Sequence, residues 1–243
     1  MLEKLKREDY EFYLRNGRKI ESINNITRIE LDAKKMRYGD NYMPLGYTRY
    51  SDGSILLQAL AEFEGLALDF INKFKDLFGE SAFDYIYKNI AEYMKREFNL
   101  APDIKRYKES SVYYELADKN KLSSEKKQSS TVKFDGLCEY EIIDKYVFIN
   151  KDSPDVFFGT LIDNKIVSVA KKNNKNEIAV GTHENYRGKG CAVSNVVAIA
   201  EYILNNGEFA AYCTDGANIA SQKTAQSAGF TEISREKLFW FRN

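Results

Sequence analysis

The residues most able to do chemistry are "EIAVGTHENYRGKGCAVSNVVAIAEYIL", residues 177–204. An apolar run ends, a polar loop closes on Arg187-Gly188-Lys189-Gly190, and a helical pattern follows at once. Glycines there let backbone N–H groups turn toward an anion, and the N-terminus of the following helix adds partial positive charge. Arg187 and Lys189 add full charges, so the loop is built to hold an oxyanion or a pyrophosphate. A P-loop of the form GxxxxGK[ST] is absent. A dinucleotide fingerprint is half present, since Gly188-x-Gly190-x-x-Val193 supplies only two of its three glycines, with Asp215 available as a ribose-binding acid. Only 28 residues of the 243 follow Asp215, too few for the rest of a doubly wound sheet.

The elements around the loop follow from their patterns. "VFFGTLI" (156–162) and "KIVSVAKK" (165–172), separated by Asp-Asn, predict a hairpin, and "EIAVGT" (177–182) a third strand. Val193, Val196 or Val197, Ala200, Ile203 and Leu204 predict the helix after the loop, and "NNG" its end. "FAAYCT" (209–214) reads as a buried strand. Asn218 reads as the N-cap of a helix to Ala228, with Gly229 just past its end, and "KLFWF" (237–241) as a last strand. Upstream, Leu56, Leu60, Phe63, Ala67, Phe70, Phe74 and Leu77 predict one amphipathic helix stopped by Gly79. Ser81, with Asp84 as a capping-box partner, predicts a second helix running to about Leu100. Residues 1–16 also look helical, and residues 20–50 give no clear pattern. The polar, Ser-rich stretch 117–133 reads as a linker or long loop.

Bulk composition bounds the function. Lys+Arg and Asp+Glu both number 36, so the net charge is +0 and no general nucleic-acid footprint is expected. No apolar run approaches the roughly 18–20 residues that cross a bilayer, so no membrane role is expected. The charged N-terminal stretch lacks a signal-peptide core. Cys138, Cys191 and Cys213 have no metal-binding or paired spacing, which fits a reducing cytoplasm. His183 is the sole histidine, so no metal centre is expected. The 17 Tyr and 15 Phe read as core, with some tyrosines free to wall a groove.

Arg187-x-x-Gly190-x-Ala192 matches the Arg/Gln-x-x-Gly-x-Gly/Ala signature of the GNAT superfamily of acyl-CoA N-acyltransferases, and "NIASQKTAQSAGF" (218–230) resembles that family's second motif. The resemblance covers roughly residues 132–243. "THENYRGKGCA" and "FWF" extend it toward the bacterial subgroup that includes zwittermicin A resistance acetyltransferase. The resemblance implies an α+β (mixed α/β) chain: a GNAT-like mixed sheet with flanking helices in residues 132–243, preceded by a mainly helical accessory or acceptor-binding domain in residues 1–131. It implies acetyl transfer from acetyl-CoA to the primary amine of a small molecule by direct attack in a ternary complex. The alternatives are a non-catalytic acyl-CoA-binding module and a dinucleotide-binding protein. The oligomeric state is not readable.

By the same resemblance, the pyrophosphate of acetyl-CoA would lie on the amides of Arg187, Gly188, Lys189, Gly190, Cys191 and Ala192. The backbone of Val180, Gly181 and Thr182, on a strand that splays from its neighbour, would bind the pantetheine arm. Asn218 and Ser221 match positions near that arm and the leaving thiolate. Glu177 lies where family members place a base. The family's usual tyrosine acid, seven residues after the Asn, is Ala225 here, so the acid is another group, a water or absent, with Tyr212 and Cys213 as candidate substitutes. His183 has the better intrinsic pKa for base work but sits beside the phosphate loop.

Overall fold

The computed structural model describes residues 2–15, 17–35, 37–38, 41–74, 76–103, 110–134, 141–142 and 156–242. In chain order the elements are α1 (Leu2–Leu14), β1 (Gly17–Ile23), β2 (Ile26–Leu31), β3 (Arg37–Tyr38), β4 (Asn41–Tyr50), β5 (Ile55–Ala59), α2 (Glu64–Lys73), α3 (Glu80–Phe98) and β6 (Ala101–Pro102). They continue with β7 (Ser111–Leu116), β8 (Thr131–Phe134), β9 (Glu141–Ile142), β10 (Phe157–Ile162), β11 (Lys165–Lys172) and β12 (Glu177–Thr182). Last come α4 (Cys191–Asn205), β13 (Ala210–Asp215), α5 (Ile219–Ala228) and β14 (Thr231–Arg242). The chain is mixed α/β. It forms two compact units: residues 1–111 with 215–217 and 233–243, and residues 112–214 with 218–232.

The first unit has a mixed sheet ordered β1-β2-β5-β4-β14, with β2 and β5 parallel and the other pairs antiparallel. One face carries Tyr47, Phe239 and Phe241, packed against Phe70 of α2 and Phe83 and Tyr87 of α3. The three expected helices are present, and the unpatterned residues 20–50 fall largely in strands. The helix predicted from Leu56 begins only at Glu64. Ile55–Ala59 is instead a strand buried at every position, inserted between β2 and β4. A short apolar run buried on both faces has no period that separates strand from helix. Helix α3 starts one residue before Ser81, with Gly79 at its N-cap and no side-chain cap bond.

The second unit has a mixed sheet ordered β7-β13-β12-β11-β10-β8, in which β12 and β13 run parallel and β8, β10, β11 and β12 are antiparallel neighbours. The predicted hairpin is there, with Asp163 and Asn164 both at positive φ in its two-residue turn. Helix α4 lies on β10, β11 and β12 and beside α5. Val196, Val197, Ile199, Ala200 and Ile203 are fully buried, so α4 is enclosed around much of its circumference rather than along one stripe.

The unit boundary differs from the 131/132 division, because the stretch read as a linker belongs to the second unit. It straps the C-terminal ends of α4 and α5. Lys119 Nζ donates to Asn205 Oδ1 (2.7 Å), Lys126 Nζ to the Ser227 carbonyl (2.8 Å) and Ser123 N–H to the Ala228 carbonyl (3.2 Å). Lys126 and the Ser123 N–H meet carbonyls that the end of α5 leaves unpaired, and Lys119 meets the Asn205 side chain at the end of α4. Gly229 allows the approach: it sits at φ 104°, and a Cβ on it would stand 1.9 Å from the Lys121 carbonyl oxygen. A polar composition thus marks a strap rather than a flexible tether. The final strand, around "KLFWF", pairs with β4 in the first unit. Among the described residues no helix is long and apolar enough to cross a membrane.

Candidate functional site

Strands β12 and β13 pair only at Glu177–Ala211 and Ile178–Tyr212, whereas β12 stays paired with β11 as far as Thr182–Ser168. Beyond Ile178 the edge of β12 that faces β13 is therefore released. His183 N–H donates to the Val167 carbonyl (2.9 Å) and Asn173 N–H to the Glu177 carbonyl (3.0 Å), so the odd-numbered residues of β12 bond toward β11. Antiparallel alternation then turns the peptide groups of Val180 and the N–H of Thr182 to the released edge. The Thr182 carbonyl takes a bond from Arg187 Nε (3.3 Å).

At the end of β12 the chain makes one tight turn. His183 Nδ1 accepts from Asn185 N–H (3.3 Å), and Tyr186 N–H returns to the His183 carbonyl (2.9 Å). Gly188 and Gly190 follow at φ 75° and 81°. Gly190 is the N-cap of α4 and offers no side chain to its amides. The first intrahelical bond runs from Ser194 N–H to the Gly190 carbonyl (3.0 Å), so the N–H groups of Cys191, Ala192 and Val193 have no partner within the helix. The first turn of α4 contains no acidic residue.

Released strand and uncapped helix end open into one cavity of about 700 Å³. Val180, Gly181, Thr182, Arg187, Gly188, Gly190, Cys191, Ala192, Tyr212, Asn218 and Ser221 all line it. Among the described residues the lining holds two cationic side chains, Arg187 and Lys223, and no carboxylate. Such a lining suits an anion with a peptide-like arm: charge and helix amides for the first, a free strand edge for the second. The residues therefore fit the pyrophosphate and pantetheine of a CoA thioester.

Lys189 lies outside this lining. Its carbonyl accepts from Gln128 Nε2 (3.0 Å), and its ammonium sits 4.9 Å from the Tyr186 ring centroid. Asn218 caps α5 through a bond from Ser221 N–H (3.1 Å), so the plain capping role is present at a residue that also faces the cavity. Glu177 is not brought to the cavity. It begins β12, where Asn173 Oδ1 accepts from its N–H (3.0 Å) and Asn173 Nδ2 reaches its carboxylate (3.4 Å). The Glu177 side chain thus belongs to the hairpin turn. His183 and Cys213 are also outside the lining.

Tyr212 is 3% exposed, and its hydroxyl lies 2.8 Å from Ser221 Oγ. Burial raises the Tyr212 phenol above its ordinary range, partly offset by the Ser221 bond. It therefore stays protonated near neutral pH. Ala225 is fully buried in the same apolar cluster as Tyr114 and Tyr212, so the position of the family's usual tyrosine is part of the core here. The sequence reading missed Tyr186, Val193, Ala220, Lys223 and Thr224 as lining residues. Helical spacing from Asn218 and Ser221 was the one signal for the last three.

No family model matches the chain, and no curated protein matches it. Among solved structures it is similar to a protein described as a GNAT-family acetyltransferase from Novosphingobium aromaticivorans, at 17% identity and a TM-score of 0.43 over 56% of this chain. This chain spans 65% of that protein's length. It is similar to a GCN5-related N-acetyltransferase from Sphaerobacter thermophilus, at 11% identity, 80% of this chain, 76% of that chain and a TM-score of 0.45. A third is a GNAT-family acetyltransferase from Colwellia psychrerythraea, at 13% identity, 100% of this chain, 97% of that chain and a TM-score of 0.39. These likenesses are distant.

Proposed function

We propose that the protein binds acetyl-CoA in the second unit and transfers its acetyl group to the primary amine of a small molecule. One observation carries this reading: the released edge of β12 and the uncapped N-terminus of α4 share one carboxylate-free cavity. Acetyl-CoA, when bound, supplies an acyl thioester open to attack by an amine. The amides of Gly188 through Val193 and the Arg187 guanidinium would hold its pyrophosphate. The Val180 peptide and the Thr182 N–H would orient its pantetheine arm.

The Tyr212 hydroxyl, paired with Ser221 in the lining, would supply a proton to the leaving thiolate. With Glu177 tied into the hairpin, the reading rests on positioning and on backbone donors rather than on a strong protein base. Within the superfamily, "THENYRGKGCA" and "FWF" favour the bacterial subgroup named for zwittermicin A resistance. Buried Ala225 favours a second reading, an acyl-CoA-binding module without turnover.

Calorimetric titration with acetyl-CoA and NADH, followed by an amine screen read by mass spectrometry, separates these possibilities. Acetyl-CoA binding with acetylated product supports the enzyme. Binding without product on a broad amine panel supports the module. Stabilisation by NADH and not by acetyl-CoA would reject both.

A further inference from the structure

The core of the second unit contains a line of polar side chains that an apolar core does not need. Ser194 and Asn195 of α4, Thr160 of β10 and Ser168 of β11 are all 0% exposed. Their bonds have one consistent direction at the Asn195 amide. Its Oδ1 only accepts, from Thr131 Oγ1 (3.2 Å) and Thr160 Oγ1 (3.1 Å). With the Thr131 proton committed there, Ser194 Oγ must donate to Thr131 Oγ1 (2.6 Å), while Ser194 Oγ itself accepts from Gln128 N–H (2.7 Å). On the other side Asn195 Nδ2 donates to Ser168 Oγ (3.0 Å). Ser168 Oγ in turn reaches the Gly181 carbonyl (3.1 Å) and Thr182 Oγ1 (2.8 Å).

The ends of this line are the two halves of the cleft. At one end Ser194 lies in the first turn of α4, and Gln128 also holds the Lys189 carbonyl (3.0 Å). That end fixes the loop and the helix amides facing the anion. At the other end Ser168 bonds Gly181 and Thr182, in the segment of β12 that keeps its pairing with β11 after pairing with β13 has stopped. With no strand on that side, β12 lacks one of the two neighbours that would hold its position. A buried chain with its described members paired resists displacement, because breaking any bond leaves a polar atom unsatisfied.

We propose that Asn195 is a positioning residue that ties the anion-facing end of α4 to the segment of β12 that has lost its β13 neighbour, so that both halves of the cleft keep one spacing. This rests on the acyl-CoA reading of the cleft.

The test uses the full chain and the variants Ser194→Ala, Ser168→Ala and Asn195→Leu, with Ile203→Val as a buried control on the same helix. Amide hydrogen exchange is measured without ligand at Gly181 and His183, whose N–H groups bond toward β11, and acetyl-CoA affinity by calorimetry. Ser194→Ala touches only the loop end, yet it should speed exchange at Gly181 and His183. Each alanine variant should weaken acetyl-CoA binding about tenfold, with Ile203→Val within about twofold despite a comparable loss of thermal stability. Unchanged exchange at Gly181 and His183 in Ser194→Ala would overturn the tie, as would affinities that follow thermal stability across all four variants. If Asn195→Leu does not fold, the two serine variants still decide. If the wild type binds no acetyl-CoA, the functional reading falls and the exchange measurement alone decides the tie.

Discussion

Gly190→Asp tests the anion assignment most directly. Gly190 sits at φ 81°, where a non-glycine residue pays about 1–2 kcal/mol. The new Cβ would stand 2.9 Å from Gln128 Nε2, the end of a flexible side chain that can yield. The substitution therefore lowers stability modestly and leaves the protein folded. Its carboxylate, however, enters a lining without negative charge, beside the amides proposed to meet a pyrophosphate. One like-charge pair at 4 Å costs about 1 kcal/mol in open water and about 4 kcal/mol near a protein surface. That corresponds to a loss of about fivefold to about a thousandfold in affinity per charge. Gly190→Ala carries the same backbone strain without the charge, so the difference between the two variants isolates electrostatics. Calorimetry with acetyl-CoA should show Gly190→Asp at least about tenfold weaker than Gly190→Ala, with similar melting temperatures. Equal affinities for two folded variants would refute the assignment.

Tyr212→Phe should lower kcat by about tenfold to a hundredfold with little change in KM, because only the hydroxyl that pairs with Ser221 and is proposed to protonate the leaving group is removed; an unchanged kcat would make Tyr212 a wall residue. Limited trypsin digestion should spare Lys126 and Lys127, whose side chains are bonded to α5 and α4, although composition marks them as linker; rapid cleavage there would contradict the strap. Burial raises the Asp9 carboxyl above its ordinary value of 3.8, with the Tyr50 hydrogen bond offsetting part of the shift. The folded state thus binds this proton more tightly than the unfolded chain. The stability it contributes is present below the unfolded pKa and is lost as pH rises through the folded one. Asp9→Asn, which keeps an acceptor for Tyr50, should raise the melting temperature near about pH 7 and not near about pH 3; an equal shift at both would discount the buried charge.

Local chemistry was legible wherever it is written in adjacent residues. The strand "EIAVGT", the two loop glycines and the Asn218 and Gly229 ends of α5 appear where their patterns place them, since caps and turns are settled by a few neighbouring peptide groups. Residues 55–59 were misread as helix because burial on both faces erases periodicity. Residues 117–133 were read as a linker or long loop, and the loop is what largely forms; composition could not choose between the two because it reports polarity and not the partners that polar groups find.

By itself the sequence determined a glycine-rich turn between a strand and a helix, and which side chains that turn could offer. Tertiary structure alone decided that β12 parts from β13 after Ile178, which opens the cavity. It also sent the Glu177 carboxylate to the hairpin, set Tyr212 against Ser221, and buried Asn195 between loop and strand. Those outcomes depend on pairing and packing between residues far apart in the chain, and no local pattern encodes where a strand loses its neighbour.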